Sequence, residues 1–340
     1  MSAPDRVVAV GPSRRARGAG VVGVALLSPL TAELLQAYLG DLGGPLGLVA
    51  FVLFLAPLYG GAALLVREVS VRQGMGWPGR FLLAAGFGVA MPTLVDVSLF
   101  TVHRSDIHGW EHIVTAAAIG RIGVYAALTW VGGHVLMSIA APLAVVESLV
   151  RAPGPWLGRI GLTVTVAPMV LVAALVHHSQ FDYDVRVNAA DYGWSAAVAA
   201  GPVALAFTPL GRPLRREPGR VAPRPWVCVV SAFVLVAAFD LVPVSWVGVA
   251  LDVAVLALGA LLVLRWSRSP AWDARRIAAL AFGGVLARTL IGFLAPLPEQ
   301  TTWPEKVFQN ISYLVIVLGL GVALARRTRR DGASYPTMTP

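Results

Sequence analysis

The 340-residue chain is 57% hydrophobic and only 13% charged, with a mean hydropathy of +0.72. Soluble domains sit nearer half apolar and a quarter charged, so this composition excludes a disordered chain, a nucleic-acid-binding domain and an ordinary soluble enzyme, and it fits a polytopic membrane protein. The formal charge of +9 rests on 27 basic residues, all arginine except Lys306, a bias of GC-rich bacterial genomes rather than a message about partners.

A membrane-crossing helix needs about 20 mostly apolar residues. In chain order such stretches fall at 19–39, 46–66, 80–102, 122–146, 159–177, 192–210, 226–242, 244–265, 277–296 and 307–325. The expected fold is therefore all-α, a polytopic transmembrane helix bundle of ten spans over 19–325. It is flanked by a cytoplasmic N-terminal segment, 1–18, and a cytoplasmic tail, 326–340, expected to lack order. Ser13-Arg14-Arg15-Ala16-Arg17 reads as the positive flank of a retained first span, because the apolar run continues into Glu33 without a small-residue cleavage site.

Arginine placement orients the bundle. With the N-terminus inside, the inner segments and their boundary residues hold 22 arginines, whereas the outer segments hold Arg104, Arg121, Arg186 and Lys306, and Arg288 lies within a span. The alternation persists through all ten crossings and predicts both termini inside. The arginine-rich 211–225 loop is explained by the same rule and needs no nucleic acid. Trp77, Trp156, Trp226, Trp266 and Trp272 fall at inner ends, and Trp110, Trp194, Trp246 and Trp303 at outer ends, the headgroup level that indole prefers; Trp130 is inside a span. The halves would form an inverted repeat with breaks at Pro29 and at Gly201-Pro202, but Pro57, Pro92, Pro142 and Pro168 interrupt other spans as well.

Ionisable residues inside a membrane are costly and face a bundle interior or a wet cavity. Six meet that description: Glu33, Asp96, His134, Asp240, Asp252 and Arg288. At 1.5 Å per residue they fall from the outer surface (Asp240) to about 18 Å down (His134), with none in the inner third. This band predicts a polar cavity opening outward. Asp252 and Arg288 come out level, about 12 Å deep, and are expected to pair. Glu33, Asp96 and Asp240 then remain as acids able to bind a cation or relay protons, or to serve no further role.

The other five histidines lie in two outer loops. His108-Gly109-Trp110-Glu111-His112 matches H-x-x-E-H, which on a helix would set two imidazoles one turn apart beside a carboxylate base. His177, His178 or Asp182 could complete a zinc site, the alternative being a hydrated loop. No resident cofactor is expected beyond that outer zinc. Cys228, the single cysteine, excludes an intramolecular disulfide.

Glu68-Val69-Ser70-Val71-Arg72 has the spacing of the first motif of the CAAX-processing and bacteriocin-immunity membrane proteases. However, Arg67 stands where their first glutamate would be, and Phe100 and His103 are three apart instead of four. The diad is broken, and Arg67 and Arg72 read as inner-flank anchors. Ser28-Pro29-Leu30-Thr31-Ala32-Glu33, Pro57-Leu58-Tyr59-Gly60-Gly61 with Arg67-Glu68, and Pro155-Trp156-Leu157-Gly158 together resemble a group of uncharacterised multi-pass membrane proteins of actinobacteria. The resemblance covers about the first half of the chain. It implies a bacterial plasma (inner) membrane protein and transfers no site residue. The leading functional expectation is a permease for a small solute or ion. The alternatives are a membrane-embedded enzyme acting on a lipid or isoprenoid, and a non-catalytic accessory or immunity protein bound to a protein partner. The lipid bilayer is the expected surrounding in each case.

Overall fold

The computed structural model describes residues 13–40, 44–298 and 301–333, with side chains described as far as Arg327. Most of the expected inner segment (1–12) and the end of the expected tail (334–340) lie outside the described residues. The described chain is helical, in rods α1 (14–34), α2 (Gly44–Arg72), α3 (Trp77–Val95), α4 (Val124–Val150), α5 (Arg159–Gln180), α6 (Ala189–Ala206), α7 (Pro225–Asp240), α8 (Trp246–Ser267), α9 (Ala274–Ile291) and α10 (Trp303–Ala333). Six of these, α2, α3, α4, α5, α8 and α10, are long and apolar enough to cross a membrane. The last helix runs on past 325, where its apolar stretch stops.

Local chemistry sets the helix starts. Ser13, Ser245 and Asp273 each accept a hydrogen bond from a backbone N–H of the first turn, and Asn188 with Asp191 forms a reciprocal capping box. Four helices widen into π-helical turns, at Leu30–Leu34, Ala56–Gly60, Met91–Val95 and His134–Ala140. Each lies beside or contains a proline: Pro29, Pro57, Pro92 or Pro142. Proline has no N–H to give and its ring crowds the preceding turn, so the ladder must open there. At Pro142 the π register would direct a missing N–H toward the Met137 carbonyl. The Thr31 hydroxyl of α1 takes that place, 2.5 Å from the Met137 oxygen. A break in α4 is thus satisfied from α1, which ties the two helices together.

The core lies among α1, α2, α3, α4 and α9. Gly60 lets α2 meet α1, where an added Cβ would lie 2.4 Å from the Ala25 Cα, and Gly283 does the same for α9 against the Val229 carbonyl of α7 at 2.2 Å. By contrast α5 and α8 expose Val164, Leu171, Leu175, Val253, Leu258 and Leu261, the faces a bilayer would cover.

The connections expected to lie outside are folded. Strand β1 (Thr101–His103) pairs antiparallel with β4 (Asp184–Val185), and β2 (Ala118–Ile119) with β3 (Ile122–Gly123). Trp110, expected as an interface anchor, is buried instead. It stacks on Trp130 at 5.2 Å and donates its indole N–H to the Thr101 carbonyl at 2.9 Å. Arg104 lies between the Trp110 and Tyr183 rings and pairs with Asp106 at 2.6 Å. Arg121 pairs with Asp191 and covers the Phe100 ring. These contacts close the loops into a cap.

Candidate functional site

The π-helical turns set the positions of the candidate side chains. Glu33 lies in the α1 break, Tyr59 in the α2 break, Asp96 just after the α3 break, and His134 opens the α4 break. π-Turns of this kind recur at functional sites because they swing side chains out of the regular helical stripe. Here they bring four helices to one place. Glu33 accepts hydrogen bonds from the hydroxyls of Tyr38 and Tyr59. The Tyr59 ring stacks on the His134 imidazole, with centroids 5.8 Å apart and planes at 24°, and Phe87 meets both rings edge-on. His134 Nδ1 lies 3.1 Å from the Ser138 hydroxyl, one turn along the same helix. Asp96 accepts the Ser98 N–H at 2.9 Å and lies within electrostatic range of Glu33. Glu33, Asp96 and His134 are partly exposed, while Tyr59, Met91 and Thr93 are buried.

A second group adjoins the first. Arg288 of α9 forks onto Asp240 at the end of α7, with contacts of 2.9 and 3.2 Å. With its amide oxygen turned inward, Gln36 accepts from the same guanidinium at 3.2 Å. Arg288 also packs on α4, where a Cβ on Gly133 would lie 3.4 Å from Nη1, one residue before His134.

This corrects the expected Asp252–Arg288 pair. Asp240, at the outer end of α7, reaches down to Arg288, whereas Asp252 is fully buried with neither carboxylate oxygen hydrogen-bonded. Asp252 lies close to Asp240 and to Tyr125 of α4. Five of the six intramembrane candidates therefore stand together, and Asp252 sits behind them.

The histidine motif does not assemble as a zinc site. Gly109, at φ +71°, breaks the chain between His108 and the helical turn Trp110–Thr115, so the two imidazoles are not successive positions of one helix. Glu111 contacts His103 at 2.5 Å. His177 is engaged by the Val95 carbonyl at 3.1 Å and the Tyr192 hydroxyl at 3.2 Å, while His112 and His178 are exposed. Among the described residues no three of the metal-ligating types stand within reach of one ion. Below this loop, burial works against the Asp106 carboxylate, but the hydrogen bond and charge of Arg104 outweigh it and hold Asp106 below the ordinary carboxylate range.

At the opposite end of the bundle lies a network that sequence reasoning missed. Arg67, expected as an inner-flank anchor, is 2% exposed, and the adjacent Glu68 is 0% exposed. Arg67 donates Nε to Glu147 at 2.8 Å and Nη2 to the carbonyls of Ala152 and Gly154, and lies 3.4 Å over the Trp156 ring. Arg80 forks onto the same Glu147 at 2.6 and 3.0 Å. Glu68 accepts the Trp156 N–H at 2.6 Å and pairs with Arg72 at 3.0 Å. Every partner has a polar neighbour, as burial of charge requires.

Tyr38, Tyr59 and Gln36 also went unread. The available signal was Tyr59 itself: a phenol in an apolar run beside Pro57 must find an acceptor when buried.

No family model, curated protein or solved structure matches the chain.

Proposed function

We propose that the protein is a permease of the bacterial plasma membrane that moves a small solute or ion through the Glu33–Asp96–His134 centre. In this reading all ten helices cross the bilayer and both termini are inside. Helix α7, 16 residues and about 24 Å long, is accommodated by local thinning. The arginine network then lies on the inner side and the β1/β4 cap on the outer side.

The observation that carries the proposal is convergence. Four π-helical breaks on four helices place two partly exposed carboxyls, a partly exposed histidine and a buried tyrosine in one region of the bundle. A structural ion pair needs two residues and no helix breaks. Glu33 grips both the segment after α1, through Tyr38, and the π-turn of α2, through Tyr59. Binding a proton or cation at that carboxylate alters its hold on both at once, and so couples occupancy to helix movement.

The test is flux through the purified protein in liposomes loaded with a pH dye, screened against amino acids, sugars and inorganic cations. A transported solute gives a signal that Glu33→Gln and Asp96→Asn each reduce by tenfold or more, with the protein still in the membrane. Undiminished flux in both variants removes the mechanism. The lipid-enzyme alternative would use Glu33 and His134 as a proton donor and acceptor flanking the Tyr59 ring. It expects turnover in detergent without any gradient.

A further inference from the structure

A groove of about 260 Å³ runs along the outside of the bundle between α1, α4 and α10. Ala19, Gly23 and Leu26 form one wall, Val146 another, and Ile316 and Leu320 the third. Every lining side chain is apolar. The slot exists because α1 presents small residues there: even a Cβ on Gly23 would come within 3.1 Å of Val146. It lies apart from the polar centre.

The direction of the helices decides what stands at its end. Lys306, at the start of α10, donates to the Ala37 carbonyl just beyond α1 at 3.1 Å. The two helices are thus antiparallel, and the C-terminal part of α10 lies beside the N-terminal part of α1. Arg15 is four residues before Ala19, and Arg327 is seven after Leu320, so helical periodicity puts each on the stripe that lines the groove. Arg15 is exposed, and Arg327 has a buried Nε with no hydrogen-bond partner. By helical register two arginines thus stand beyond this end of the slot, Arg327 with an unmet Nε donor.

We propose that this groove is the seat of one anionic glycerophospholipid, with an acyl chain along Ala19, Gly23 and Ile316 and the headgroup phosphate on Arg15 and Arg327. Charge complementarity selects this occupant. A zwitterionic lipid would leave the arginines without a net anion, a free phosphate would have no use for the apolar slot, and guanidinium matches phosphate in bidentate geometry. The assignment is independent of what the permease centre carries.

Full-length protein reconstituted in vesicles of equimolar phosphatidylglycerol and phosphatidylcholine with identical chains, then released gently for native mass spectrometry, tests it. The expected result is one retained phosphatidylglycerol in preference to phosphatidylcholine, the ratio falling about fivefold for each of Arg15→Gln and Arg327→Gln. Ala19→Phe should reduce retention of both lipids. Arg159→Gln, at the start of α5 and away from the groove, should leave the ratio unchanged. Equal retention of the two lipids by the unaltered protein, an unchanged ratio in the Arg15/Arg327 double variant, or a loss as large in Arg159→Gln would each overturn the site.

Discussion

Replacing Glu147 by glutamine removes one charge from a cluster in which three guanidiniums, Arg67, Arg72 and Arg80, meet two carboxylates, Glu68 and Glu147. The variant leaves three cations facing one anion. The glutamine carbonyl can still accept from Arg67 Nε and Arg80 Nη2, but the charge is gone and its NH2 turns a donor toward Arg80 Nη1, with Arg67 2% and Arg80 13% exposed. Stranding a buried partner costs about 3–5 kcal/mol, and the partial exposure of Glu147 favours the lower end, about 3 kcal/mol. Arg67→Met is different. It leaves two cations facing two anions and keeps a side chain against Trp156; the bonds to the Ala152 and Gly154 carbonyls, Glu147 and Glu68 are lost, but Glu147 keeps Arg80 and Glu68 keeps Arg72 and the Trp156 N–H, so the cost is about 1–2 kcal/mol. Arg72→Ala, at a side chain 33% exposed, should cost under about 1 kcal/mol. Unfolding in mixed micelles of rising denaturing-detergent fraction, followed by tryptophan fluorescence, should rank the variants Glu147→Gln, Arg67→Met, Arg72→Ala from least stable upward. The double variant Arg67→Met/Glu147→Gln should cost less than the two singles together, by about 1 kcal/mol or more, because the residues are in contact. A Glu147→Gln variant as stable as Arg67→Met, or strict additivity in the pair, would refute the charge arithmetic.

The buried Asp252 carboxyl satisfies neither oxygen, so Asp252→Leu, which removes the unmet polar group at similar volume, should leave stability unchanged or raise it by about 1 kcal/mol in the same unfolding series; a marked loss would mean that the carboxyl has an essential partner. Gly60→Ala places a methyl against the α1 backbone and should destabilise by about 1–3 kcal/mol, read as a lower midpoint. In the β1/β4 cap, Asp106 is held below its ordinary range despite burial, so its contribution is present at neutral pH and is lost as pH falls through the lowered value. A Trp110 fluorescence change should therefore appear only below the ordinary carboxylate range of about 4, and should vanish in Asp106→Asn; a transition that persists in that variant, or one centred above that range, would assign the cap's pH response to another group.

The helices were readable because their signals are local. Apolar runs of sufficient length, caps such as Asn188 with Asp191, and prolines at 29, 57, 92 and 142 all act within a few residues of where they stand. The chain accordingly folds into helices near the expected stretches. Rise per residue is fixed, so position along each expected span could be counted. That count placed Glu33, Asp96 and His134 in one band, and the structure joins Glu33 to His134 through Tyr59, with Asp96 within electrostatic range of Glu33.

Pairing within the band was not readable, because it depends on which helix is the neighbour and which way each side chain leans. Asp252 is level with Arg288 by count, yet α9 packs chiefly on α7, so Asp240 reaches the guanidinium first. A long flexible arginine can bridge a turn or more in depth, so level counting has little authority over it. The same reasoning explains Arg67. The positive-inside pattern is a statement about side of the membrane, and it holds equally for a solvated arginine and for one buried over Trp156 between two glutamates. Solvation there is decided by Glu147, 80 residues away in sequence, and by a loop carbonyl at Ala152. In the histidine motif the spacing is local, and Gly109, a residue that weakens a helix, adopts a left-handed conformation that separates His108 from the helix that carries His112.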